Sequence, residues 1–279
     1  MPVSKLLSLS EAVDRFVPDG SSIALGLAQE TLIPFAAGHE LIRLKKKRLT
    51  LIGPISDILF DQIIGAGCVR KIRAAWVGNV ITGSCYNFRR GVENGTLDME
   101  DHSNLTLAMA LRAGAMGVSF MPARTALGSD LFKTNASLKT MTCPFSGDIL
   151  TAVGAINPDV AIVHLQRADK FGNAHAWGNL GLTRDPNRVI TPGFRVSAVV
   201  HAPWGGHPSP VPGYYNRDHQ GFIDHRNQSK TSDDFAKWKK YWVDDVRSPL
   251  DYTKMLGDKR IAGLAIKHHD LSEQVDYGY

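Results

Sequence analysis

The chain has 279 residues, 32 Lys and Arg against 27 Asp and Glu, a formal charge of +5 and 43% hydrophobic residues. That apolar content is ample for the core of one large α/β domain or two modest ones, and the mild charge gives no mandate for nucleic-acid binding. No apolar run approaches the ~20 residues that span a bilayer. Cys68, Cys85 and Cys143 are too few and too widely spaced for a disulfide framework or a CxxC zinc site.

The start of the chain becomes amphipathic at once and lacks the apolar core of a signal peptide, so the expected compartment is the cytoplasm. Ser8-x-x-Glu11 is a capping-box pattern, and Leu9, Val13, Phe16 and Val17 have helical spacing. Pro18-Asp19-Gly20 stops that helix. Residues 21–26 (SSIALG) read as a first buried strand, and Pro34 suits the first turn of a helix reaching about Lys45. The basic run Lys45–Arg48 fits a helix C-terminus. Residues 49–54 predict a second strand, 57–64 a short helix and 69–77 a third strand. Strands alternating with helices at this spacing predict parallel βαβ units in one sheet.

Ser103 opens a predicted helix to about Ala115, ended by Gly114 and Gly117, and NGTLDMEDHS before it reads as a turn plus a helix start. Short strands follow at 118–122 and 138–144. Residues 160–165 are rich in β-branched apolar side chains, which suits a strand buried on both faces. Asp169-Lys170-Phe171-Gly172-Asn173 then supplies a turn before another extended segment. Residues 195–202 predict a late buried strand, followed by a loop rich in glycine and proline. Phe235, Trp238 and Trp242 share one face of a helix over 233–246, and with residues 250–256 this helix forms a C-terminal cover. The expectation is a single domain over residues 1–279, with an open, mostly parallel sheet flanked by helices.

Two loops carry the candidate binding residues. The first, from Gly26 through Gln29 to Thr31, joins a strand to a helix N-terminus, where backbone amides suit an anion. The second follows the third strand and gathers Asn79, Ser84 and Cys85 at a strand's carboxyl end. Asn79 and Ser84 suit a substrate carboxylate, with Arg89 or Arg90 as counter-charge. Cys85 reads better as a small buried filler than as a nucleophile. Asn104, in the first turn of its helix, joins the set. Glu93, Glu100 and Asp101 are weaker general-base candidates. Ten histidines show no metal-ligand spacing; His164 reads as a satisfied strand-end residue and His268–His269 as a solvated pair.

The wording of several segments goes beyond this physics. NPDVAIVH (157–164) followed by ADKFGNAHAWG, together with SSIALG, TLDMEDHS, FMPA, PFSGDILTAV, VVHAPWGGHPS and KTSDDFAKWKKYWV, resembles the α (A) subunits of family I CoA-transferases of the glutaconate type over nearly the whole chain. The resemblance implies the CoA-transferase (NagB/RpiA-like) fold and no permanently bound cofactor. Coenzyme A would enter as substrate, and a homologous β subunit would complete a heterodimer or a higher heteromer. It further implies a glutamate nucleophile on that partner, no catalytic residue of this kind here, and neither nucleic acid nor membrane as a partner. Acyl-CoA hydrolases that open rings and acyl-CoA decarboxylases share the scaffold and are the alternatives; a non-catalytic ligand-binding subunit is the alternative of another class. The chain departs from the pattern near Leu182–Arg184, where family members carry a further helix and strand. A deletion there would expose core, so the expectation is that a longer chain contains the element.

Overall fold

A computed structural model describes residues 3–26, 31–78, 82–83, 85–175 and 196–266. The chain opens with α1 (Leu9–Phe16), where Ser8 Oγ accepts from the Glu11 amide at 3.2 Å and the Glu11 carboxylate accepts from the Ser8 amide at 3.0 Å. Then come β1 (Ser22–Leu25), α2 (Phe35–Arg43), β2 (Leu49–Ile52), β3 (Ile55–Ser56), α3 (Ile58–Gly65), β4 (Val69–Ala74), β5 (Trp76–Val77), α4 (Tyr86–Glu93), β6 (Asp98–Asp101) and α5 (Asn104–Met116). Next are β7 (Phe120–Ala123), α6 (Leu131–Thr134), β8 (Leu138–Thr142) and β9 (Ile149–Gly154), and then β10 (Val160–Ile162).

Five of these strands form a parallel sheet in the order β10-β1-β2-β4-β6. All four residues of central β2 are buried, as a parallel strand covered on both faces requires. One face packs its apolar residues against Phe35, Leu41, Ile58, Leu59 and Ile63 of α2 and α3. Gly38 makes that packing possible, since a Cβ there would lie 2.4 Å from Leu59 Cδ1. The other face offers Ile52 to Leu107, Ala110 and Leu111 of α5. Beyond α5, β7-β9-β8 form a separate antiparallel sheet. Its β8–β9 hairpin is exposed, with Phe145 at its tip 97% exposed and Ile149 56%.

The C-terminal cover consists of α7 (His219–Gln228), α8 (Ser232–Lys239) continuing into a π-helical turn at 240–244, α9 (Pro249–Leu256) and α10 (Asp258–Leu264). Phe235 and Trp238 are buried as the helical spacing implied. Residues 167–168 and 174–175 form a short hairpin, β11 (Arg167–Ala168) and β12 (Ala174–His175), around the turn at Asp169.

Several expectations change. β10 is the edge of the parallel sheet, and its residues are half-buried rather than covered on both faces. The third strand divides into β4 and β5, and β5 pairs with β3 in a small ladder above the main sheet. Within NGTLDMEDHS the turn at 94–95 and the helix start at Ser103 are present, but Asp98–Asp101 between them form an unread strand, β6. α4, β9 and α7 were unread. Of the strand expected over 195–202, the described residues form one bridge, Leu6 to Val199, and are not buried. α2 ends at Arg43, so Lys45–Arg48 lie just past it, with Lys45 and Arg48 in left-handed backbone. The junction at Leu182–Arg184 and the pair His268–His269 lie outside the described residues.

Candidate functional site

Parallel strands place all their carboxyl ends along one edge. From β1 the chain proceeds through β2, β4 and β6 to one side, then returns at β10 on the other. The ends of β1 and β10 therefore form a topological switch point, where open α/β sheets bind ligands. Gly26 closes β1 at φ +80°, and its amide donates to the Ile162 carbonyl at 3.1 Å. Glycine adopts that left-handed turn without strain.

The 203–213 segment covers this end of the sheet. The Ala36 amide at the start of α2 donates to the Gly205 carbonyl at 2.8 Å, and the Leu32 amide to the Pro210 carbonyl at 3.2 Å. The Gly206 amide donates to the Tyr215 hydroxyl at 3.1 Å, and Trp204 stacks on Tyr215 with centroids 4.3 Å apart. Trp204 itself sits at φ +59°, strained for a bulky residue. His164 follows β10 against Gly206, whose added Cβ would lie 3.5 Å from the imidazole Cδ2. Burial pushes His164 down to about 4, which keeps the ring neutral near pH 7.

At the end of β2, Gly53-Pro54 turns into β3 and then Asp57, the N-cap of α3. Asp57 Oδ1 accepts from the Ile58 amide at 2.5 Å, whereas Oδ2 is buried with no hydrogen-bond partner. Burial pushes this carboxyl up to about 7, against the weaker opposing effect of the Ile58 amide. A buried carboxyl with an orphan oxygen at a strand's carboxyl end is a site candidate that sequence reading missed; it saw only a helix start. One turn later, fully buried Asp61 accepts from Asn87 Nδ2 (2.9 Å), the Phe88 amide (2.8 Å) and His225 Nε2 (2.9 Å), tying α3 to α4 and α7.

At the end of β6, Glu100 Oε2 lies 2.5 Å from Lys71 Nζ and 3.2 Å from Arg73 Nε, and Oε1 lies 3.1 Å from His102 Nε2. Burial works to raise this carboxyl, but His102, Lys71 and Arg73 outweigh it and hold Glu100 at about 2. Glu100 is therefore a fixed anion in a cationic cage, not a general base.

The structure brings Gly26, Cys85 and Asn104 to loops on the carboxyl side of the sheet; Gln29, Asn79 and Ser84 lie outside the described residues. Cys85 is the N-cap residue of α4 and 3% exposed. Burial, with Asp61 and Asp57 nearby, pushes its thiol well above the ordinary range, so it is neither a nucleophile nor an open wall of a crevice. Asn104 is exposed at the start of α5. Arg90 is committed to the carbonyls of Ser229 (2.9 Å) and Lys230 (2.8 Å), and Arg89 pairs with Glu93 on the surface. Neither is placed as a counter-charge for substrate. Among the described residues no group of three or more His, Cys, Asp or Glu could hold a metal ion, and no helix is long and apolar enough to cross a membrane.

Comparison with known proteins adds the following. Residues 6–202 match the family model described as "Coenzyme A transferase". The chain is 38% identical to the α (A) subunit of 3-oxoadipate CoA-transferase from Pseudomonas knackmussii, over 90% of this chain and 97% of that protein. It is 30% identical to the α (A) subunit of glutaconate CoA-transferase from Acidaminococcus fermentans, over 95% of each. The crystal structure of glutaconate coenzyme A-transferase from the same organism superposes with a TM-score of 0.88, at 30% identity, covering 98% of this chain and 99% of that one. A variant of the decarboxylase AibA/AibB superposes with a TM-score of 0.74 at 27% identity, covering 85% of this chain and 99% of that one.

Proposed function

This chain belongs to the coenzyme A transferase family, and on that premise we propose that it is the α subunit of a two-subunit CoA-transferase. The enzyme moves CoA between an acyl-CoA and a short dicarboxylic acid. The observation that carries this reading is the 38% identity to the 3-oxoadipate CoA-transferase chain across nearly the full length of both proteins. The acids named in the two CoA-transferase relatives, 3-oxoadipate and glutaconate, are both dicarboxylic. The hydrolase and decarboxylase alternatives rest on more distant similarity, such as the 27% identity to the decarboxylase.

In this reading the β subunit supplies a glutamate whose carboxylate attacks the acyl-CoA. CoA is held as an enzyme thioester until a second acid takes it up. This chain contributes shape and hydrogen bonds: the Gly26 turn and its loop with Gln29 face the thioester, and Asn79, Ser84 and Asn104 line the acid's side. Coenzyme A is substrate, with no resident cofactor, and the complex works in the cytoplasm. The exposed β8–β9 hairpin supports a partner, because an apolar tip such as Phe145 gains by being covered.

The test is co-purification with the β subunit, followed by assay of acyl exchange between acetyl-CoA and 3-oxoadipate, glutaconate or adipate. Borohydride reduction followed by mass measurement traps the glutamyl thioester on the partner. No exchange and no trapped adduct, with the partner's glutamate intact, overturns the transferase reading.

A further inference from the structure

A cavity of about 380 Å³ opens beside α2, between the first turn of α1, the 202–207 segment and the start of α9. Its volume falls in the range of small-molecule sites. Much of its wall is apolar, with Leu9, Phe35, Trp204, Val246 and Pro249 contributing. Phe35 and Val246 are buried even without an occupant, so the lining is set by the fold.

The charges around the cavity decide what it takes. Glu40 and Arg43 neutralise each other at 2.7 Å, and Arg43 also donates to the Val243 carbonyl at 3.2 Å. His39 lies 2.9 Å from Gln62 Oε1, and burial pushes it down to about 3, so it is uncharged. His207 is held between the Tyr252 hydroxyl and Asp218 Oδ2, both at 2.7 Å, and Asp218 is matched by Arg260 at 2.6 Å. Arg247 is different: it lines the cavity, is exposed, and has no ion pair or hydrogen bond to the described residues. It stands immediately before Ser248, the N-cap of α9, whose hydroxyl donates to Asp251 at 2.9 Å, so that acid is already engaged. Among the charged groups that line the cavity, Glu40 and Arg43 are paired with each other and Arg247 alone has no partner in the described residues.

We propose that this cavity binds a small amphipathic carboxylate, with its carboxylate on Arg247 and its apolar body against Phe35, Trp204 and Val246. The occupant's chemistry follows from the wall: a neutral hydrocarbon leaves Arg247 unpaired, and a cation is repelled by it. The site also has a route to the strand ends, because one segment serves both. Trp204 and His207 face the cavity, whereas Gly206, between them, abuts His164 at the end of β10.

The test is calorimetric titration of the full chain with octanoate, with 1-octanol as the neutral control, and Trp fluorescence as a second readout. Octanoate binds saturably and about two- to fivefold more tightly than octanol, since an ion pair at an exposed arginine contributes up to about 1 kcal/mol. Arg247→Gln removes that advantage and leaves octanol binding unchanged, and Arg247→Lys restores part of it. Absence of saturable octanoate binding, equal binding of octanol, or unchanged octanoate affinity in Arg247→Gln overturns the proposal. Arg247 is exposed, so these variants fold.

Discussion

Replacing Asp57 by Asn isolates the energetic consequence of its buried, half-satisfied carboxyl. In the folded chain burial holds this group protonated up to about pH 7, against 3.8 for an unburied carboxyl. A carboxyl raised in the folded state makes the native protein the better proton binder, so stability falls as pH rises from 3.8 to about 7. At 1.36 kcal/mol per pH unit that interval corresponds to about 4 kcal/mol. Above pH 7 the loss is complete and the curve is flat for this group. Asn keeps the cap, because its Oδ1 accepts from the Ile58 amide as the carboxyl oxygen does. Its Nδ2 is as unpartnered as Oδ2, but that cost does not vary with pH. The measurement is denaturant unfolding of both proteins at pH 4.5, 6 and 8. Wild type loses stability relative to Asp57→Asn by as much as about 3 kcal/mol across that span, while other titrating groups cancel in the difference. Two curves that stay parallel from pH 4.5 to 8 refute the reasoning, since Asp57 then carries the same charge folded and unfolded.

The opposite sign is expected at Glu100, held at about 2 in the folded state against 4.5 outside it. Its contribution is full above pH 4.5 and is lost as pH falls through about 2. Acid unfolding of Glu100→Gln therefore shows a loss limb shallower by as much as about 3 kcal/mol. Gly38→Ala places a Cβ 2.4 Å from Leu59 Cδ1 and lowers stability by about 1–3 kcal/mol in chemical unfolding, despite alanine's better helix propensity. Phe145→Asp, at a side chain 97% exposed, leaves the isolated chain's stability in chemical unfolding within about 0.5 kcal/mol of wild type. The same variant weakens binding of the β subunit by about tenfold or more in a titration; unchanged association removes the hairpin from the interface.

Local signals account for what the sequence made legible. The capping box at Ser8, the helix start at Ser103, the strand–helix alternation through α3 and the aromatic face of α8 each depend on neighbours within a few residues. The misreadings share a non-local cause. Residues 96–101 carry three acids in six positions, and locally that reads as a turn and a helix start. In the fold residues 98–101 pair with the adjacent strand β4, and Glu100 meets both Lys71 and Arg73 there, residues distant along the chain. α7 is weakly amphipathic and buries His225 against Asp61, a partner 164 residues earlier. Asp57 was visible as a cap, but its orphan oxygen exists only once α3 is packed.

The same reasoning bears on where the reactive carboxylate of the proposed enzyme resides. Three carboxylates among the described residues, Asp57, Glu100 and Asp101, lie at or near the carboxyl ends of the parallel strands. Asp57 is buried, with its carboxyl pushed up to about 7, so it is a poor nucleophile. Glu100 is ionised, but two cations and His102 occupy its oxygens, and attack on a thioester would first require breaking that cage. Asp101 precedes His102 and Ser103, its carbonyl accepting from Asn135 Nδ2 at 2.7 Å, in the tight turn that starts α5. None combines exposure, ionisation and freedom to move. In the proposed enzyme that role falls to the partner subunit, because none of these described carboxylates is free to take it.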